Sequence, residues 1–171
     1  MRIDHLKPIL RGLAAAAVLA AIANGLDAAS APPGAFVKVA PADIHWTDIP
    51  GAHGAQEAQL VGGQDKPGFY VVRVRFAPHW MDTPHWHSRD RYITVLEGTW
   101  TVGTGPVFDL AKAVSLPAGS VMKHPAHGVH WDGSAGDEPV VVQIAGIGPV
   151  STTRIDPKGP EWVRVTGPRH P

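Results

Sequence analysis

The sequence predicts an all-β domain, a sandwich or barrel built from many short strands. Three observations carry this. Gly 19 and Pro 17 among 171 residues cut the chain into short segments. The clearest periodic stretch, GFYVVRVRFAP, alternates as a half-buried strand does: Tyr70, Val72, Val74 and Phe76 on one face, Val71, Arg73 and Arg75 on the other. Few long helical patterns appear. The length suits one domain, and a hydrophobic content of 44% can sustain a core.

The elements follow in order. Residues 31–34 read as a leader. FVKVA, Phe36 to Ala40, is a candidate strand, and PADIHWTDIPG is a proline-bounded loop. AQLVGG, Ala58 to Gly63, is a short strand ending in a turn, followed by the alternating strand above. RYITVLEGTWTVG reads as a hairpin turning at Glu97-Gly98. AVSLPAGSVMKHPAHGVHW holds further short strands divided by proline-containing turns. PVVVQIAGIG, Pro139 to Gly148, is apolar enough to predict a strand buried on both sides. The tail, residues 151–171, has low apolar density and is expected to lie over the surface.

The N-terminus has the order of an export signal. Arg2, Lys7 and Arg11 precede the apolar run Leu13 to Ala23, and small residues follow. The run is shorter than the roughly 20 residues that a spanning helix needs, although an uncleaved anchor is the alternative. No Arg-Arg pair marks the twin-arginine route. Cleavage is expected after Ala28 or Ala29. Residues 1–29 then form a signal peptide and 30–171 the domain, with its barrel core at about 36–150. The expected location is periplasmic or secreted, with no membrane association after cleavage.

Composition excludes several functions. Lys+Arg 15 balance Asp+Glu 15, and no basic run offers a nucleic-acid surface. The absence of cysteine excludes disulfides, thiolate metal sites and cysteine nucleophiles. Histidine is the unusual residue. Six of the 10 histidines fall between His79 and His130, which points to a metal site.

In PHWHSRDRYITVLEGTW, His85 and His87 project to one face of a strand, their Cβ atoms about 7 Å apart. Arg91, Ile93 and Val95 continue the same parity. Asp90 and Tyr92 have the opposite parity and are expected to face away. A third ligand must come from elsewhere, and His124, His127 and His130 are the candidates.

With these residues the chain resembles the cupin superfamily. The first cupin motif, G-x5-H-x-H-x3-E-x6-G, is met by His85, His87 and Gly98, with His79 in place of the first glycine and Arg91 in place of the glutamate. The second, G-x5-P-x-G-x2-H-x3-N, is met by Gly119, Pro125 and His130, with His127 for the glycine and Ser134 for the asparagine. A shorter frame starting at Pro117 would place Met122 as ligand, which favours His130. The resemblance runs from about Phe69 to Gly148. It implies a jelly-roll, or double-stranded β-helix, barrel. It also implies one divalent metal held by His85, His87 and His130: Fe2+ first, with Zn2+, Ni2+, Cu2+ or Mn2+ as alternatives.

The missing glutamate leaves the metal charge uncompensated, so the site favours an anionic ligand. Arg91 has two readings. It holds a substrate carboxylate or enolate beside the metal, or it turns aside to pair with Asp90, Glu97 or another carboxylate. Trp80, Trp86, Trp100 and Trp131 either line an aromatic pocket or fill the core. Gln143 either supports a ligand or bonds to a neighbouring strand.

The expected function is an exported metal-binding enzyme, dioxygenase-like, acting on a small organic anion. Its alternatives are a non-catalytic binding or sensor protein and a non-redox zinc isomerase or lyase. A homodimer is compatible with this reading.

Overall fold

The computed structural model describes residues 36–166. The expected signal segment lies outside them. No α-helix occurs among the described residues, and two single 3-10 turns are the only helical elements there. Thirteen strands form two antiparallel sheets that face each other. This is the jelly-roll barrel implied by the resemblance.

The first sheet runs β1 (Thr47–Asp48), β2 (Gln56–Val61), β3 (Gly68–Phe76), β11 (Val140–Gly148), β6 (Arg91–Glu97) and β9 (Val121–His124). The second is centred on β10 (His130–Ser134). On one side β10 pairs with β7 (Thr99–Thr104), which pairs with β8 (Val114–Pro117). On its other side β4 (Trp80–Asp82) and β5 (His85–His87) lie end to end, flanked by β13 (Trp162–Arg164) and β12 (Thr152–Arg154) respectively.

The alternation of β3 is realised: Tyr70, Val72, Val74 and Phe76 are buried and pack with Ile93, Val95, Val142 and Ile144 of the same sheet and Trp100 and Val102 of the other. This is the main core, and its apolar area removed from water drives the two sheets together. Trp131 faces the other way. It joins Met81 and Val165 in a second cluster covered by Phe108 and Leu110.

Four expectations are corrected. FVKVA forms no strand, and Phe36 is fully exposed, because no sheet edge pairs with it and the chain turns directly into the 3-10 segment Pro41–Asp43. The stretch around Glu97-Gly98 is not a hairpin. β6 is already flanked by β11 and β9, so the chain crosses to the other sheet, where β7 pairs with β10 and β8. Gly98 makes that corner at φ 72, and a Cβ there would sit 2.6 Å from the Pro139 carbonyl oxygen. β11 is central, but only Val140–Val142 are buried on both faces; Ile147 is 53% exposed, because nothing covers that end of the outer face. The tail does not simply lie over the surface. β12 and β13 complete the second sheet, and backbone pairing compensates for few apolar side chains.

Gly103 in β7 faces Trp131 of β10 directly, and an added Cβ would overlap the indole ring. Gly103→Ala is expected to cost about 2–3 kcal/mol through overpacking. A thermal melt checks this: an unchanged midpoint would mean that the indole moves aside freely.

Candidate metal centre

The site forms between the two sheets, which both line its cavity. β5 places His85 and His87 on the inner face, and β10 sets His130 directly opposite His85. All three are buried. Between β5 and β6 the chain changes sheets, so Arg91 faces the histidines from the opposite wall. Its inward position was anticipated by treating residues 85–95 as one strand, whereas the chain turns a corner at Ser88–Asp90.

Hydrogen bonds define the tautomers. His85 Nδ1–H donates to the Thr83 carbonyl at 2.9 Å, and His130 Nδ1–H donates to the Gly128 carbonyl at 2.8 Å. A carbonyl only accepts, so each neutral ring keeps its lone pair on Nε2. Arg91 Nη1 donates to His87 Nε2, which places the His87 lone pair there too. The His87 Nδ1–H then donates to the Thr152 hydroxyl, 3.0 Å away. Three Nε2 lone pairs therefore converge. His85 Nε2 and His87 Nε2 are 3.2 Å apart. Lone pairs facing at that distance repel, and a cation between them removes the repulsion. Ligand atoms of His85, His87 and His130 all lie within 4.8 Å of one another. The donor set and the outward bonds that orient it fit a divalent metal.

Burial lowers the basicity of these rings. The His87 and His130 values are pushed well down, and His124 to about 3, each mainly by desolvation. The Arg91 cation adds to this at all three, and protonating any one of these rings would be opposed further by its neighbours. The imidazoles are thus neutral, as metal ligands must be.

His124 and His127 separate clearly. His124 is buried, its ring 3.7 Å from that of His130, and its Nε2 has no hydrogen-bond partner. With His130 and Asp132 it makes a second group of metal-ligand type. His127 is exposed and packs on Trp86, so it does not join the site. Its backbone has φ 62, and that of His79 has φ 65. At both positions the cupin motifs carry glycine. The left-handed conformation is kept here by a residue type that tolerates it better than most.

Two carboxylates were missed in the sequence. Asp82 and Asp132 line the same cavity, of about 160 Å³, together with Arg91 and the four buried histidines. Asp82 Oδ1 accepts from the Asp132 amide at 2.6 Å, and Asp132 Oδ1 accepts from Trp100 Nε1 at 3.0 Å. Burial raises both carboxyls, Asp132 to about 7. The available signal was parity: Asp132 lies two residues beyond His130 on the same face. The Asp82 position depends on a break between β4 and β5 that no pattern revealed. Thr152 was also missed, because it comes from the tail.

The remaining expectations resolve by geometry. Asp90 faces outward, pairing with Lys123 at 2.7 Å and accepting from the Ala126 amide. Tyr92 is exposed. Gln143 accepts from Arg73 on the neighbouring strand at 3.2 Å, which is the structural alternative. Of the tryptophans, Trp100 lines the cavity, Trp131 fills the second core, Trp80 stacks on His53, and Trp86 packs tilted against His127. Arg91 pairs with neither Asp90 nor Glu97. It points into the cavity.

The cupin family profile matches residues 57–149, more than half of the sequence. The chain belongs to the cupin family. Solved structures agree on the fold. The polyketide cyclase RemF from Streptomyces resistomycificus superposes with a TM-score of 0.56 at 19% identity, covering 68% of this chain and 84% of its own. KdgF from Halomonas sp. gives 0.51 at 22% identity, covering 66% and 92%. The DMSP lyase DddQ from Ruegeria pomeroyi gives 0.54 at 15% identity, covering 69% and 64%. At such identities these proteins share the architecture alone with this chain. No curated protein matches the sequence.

Proposed function

We propose that this cupin is an exported metal-dependent enzyme that acts on a small organic anion. One observation carries the reading: a partly buried arginine shares one cavity with three convergent Nε2 lone pairs. His85, His87 and His130 hold one divalent metal, and Arg91 holds the carboxylate or enolate of the substrate. Once bound, the metal supplies Lewis acidity and, if it is Fe2+, access to O2 chemistry. The apolar walls, Ile93, Val142 and Ile144 among them, lower the local dielectric and strengthen the attraction between Arg91 and the anion. The charge–apolar–small order of residues 1–29 supports export.

Dioxygenase-like chemistry is the first reading. A second, non-redox chemistry on zinc, is favoured by Asp82 and Asp132, because a buried carboxyl in the cavity wall can accept or return a proton. Metal analysis of protein from its native compartment, with an oxygen electrode and a panel of small carboxylic acids, separates them. Iron with substrate-dependent O2 uptake supports the first. Zinc with turnover independent of O2 supports the second. No turnover on any acid leaves a binding or sensor protein.

The anion assignment has its own test. Arg91→Gln is expected to weaken binding of small carboxylates by about 1.5–3 kcal/mol, the scale of a charged hydrogen bond, and to leave the metal in place. Unchanged affinity with a lower melting temperature would make Arg91 a structural residue.

A further inference from the structure

Three buried polar atoms lack hydrogen-bond partners at one level of the first sheet: Tyr70 Oη, Arg91 Nε and His124 Nε2. Their residues lie in one row across four strands. Tyr70 is opposite Gly146, Gly146 is opposite Arg91, and Arg91 is opposite His124. The Tyr70 ring lies over Gly146, where an added Cβ would meet Oη at 2.7 Å and Cζ at 2.9 Å. The glycine is thus the gap across which the phenol approaches the arginine. Burial raises the Tyr70 pKa, which keeps the phenol neutral.

The two orphaned atoms are complementary. Arg91 Nε–H can only donate, and a phenol oxygen accepts. Meanwhile Arg91 Nη1 donates to His87 Nε2, the lone pair that a metal requires. One lone pair cannot serve both, so Arg91 needs a second seat. Arg91 lines the cavity while Tyr70 does not, so any effect of Tyr70 passes through Arg91.

We propose that Tyr70 is a positioning residue for Arg91, accepting its Nε–H when the guanidinium leaves His87 and so aiming its outer nitrogens at the carboxylate of a small organic acid beside the three histidines. This rests on the anion-binding reading of Arg91 given above. Gly146 is what lets the two side chains meet.

The test is a titration of Co2+-loaded protein with acetate, followed by visible absorption, in the parent protein, Tyr70→Phe, Arg91→Gln and the double variant. Tyr70→Phe deletes one oxygen from a ring that stays packed. It is expected to weaken acetate binding about tenfold, the scale of one hydrogen bond to a charged group, with Co2+ stoichiometry unchanged. The double variant is expected to bind no more weakly than Arg91→Gln alone. If Arg91→Gln weakens acetate and Tyr70→Phe does not, the positioning role is overturned and the anion role of Arg91 stands. If the two losses multiply, Tyr70 acts independently of Arg91, and the proposal fails. If neither variant changes acetate affinity, the anion reading itself falls and takes this one with it.

Discussion

Alanine at His87 is expected to lower affinity for a divalent metal by more than about 100-fold, whereas alanine at His124 leaves it nearly unchanged. Outer partners of a metal ligand alone are worth 10–100-fold, so loss of the ligand itself exceeds that range. The two substitutions discriminate because the buried histidines enter three overlapping groups: His85, His87 and His130; His124, His130 and Asp132; and His85 with Asp82 and Asp132. His85 and His130 each belong to two of them, so alanine at either cannot choose among the groups. His87 belongs only to the first. Its Nδ1 is held by Thr152 and its Nε2 points inward, as a prepared ligand should. Chelator competition with metal analysis is the measurement. Retention in His87→Ala with loss in His124→Ala would move the centre to the second group, and retention in both would move it to the third.

Glutamate at Arg91 is expected to tighten metal binding by about tenfold or more and to abolish carboxylate binding. The position lies beside His87 Nε2, where the cupin motif carries a glutamate. A carboxylate about 4 Å from a charge gains about 4 kcal/mol per unit charge at an effective dielectric near 20, before desolvation is subtracted. The same substitution leaves a buried anion without a cationic partner in the metal-free protein. Its melting temperature should therefore fall without metal and recover on loading. Isothermal titration with metal, then with acetate, reads both effects. Metal affinity equal to that of the parent would show that side chain 91 does not reach the metal position.

Much of the site was readable from spacing. His85 and His87 were legible because a strand returns side chains to one face every second residue. His130 was legible through the longer second motif, which also placed Gly119 and Pro125. The inward direction of Arg91 was read by parity and holds, although the corner at Ser88–Asp90 means that parity along one strand was not the cause. The supposed hairpin at Gly98 failed for a physical reason. A glycine turn between two apolar strands looks the same whether the strands pair or part, and β6 had both edges taken by β11 and β9.

What the sequence determined by itself was local and periodic: the all-β class, the inner face of β3, and the histidine pair of β5. These depend on neighbours two residues apart, which the chain carries with it. What only the tertiary structure decided was pairing across distance. It set His124 against His130, turned His127 outward, and brought Asp82, Asp132 and Thr152 to the same cavity. It also lined up Tyr70, Gly146 and Arg91 across three strands. Such registers arise from burying the whole apolar face at once, and no short stretch of sequence encodes which strand will lie beside which.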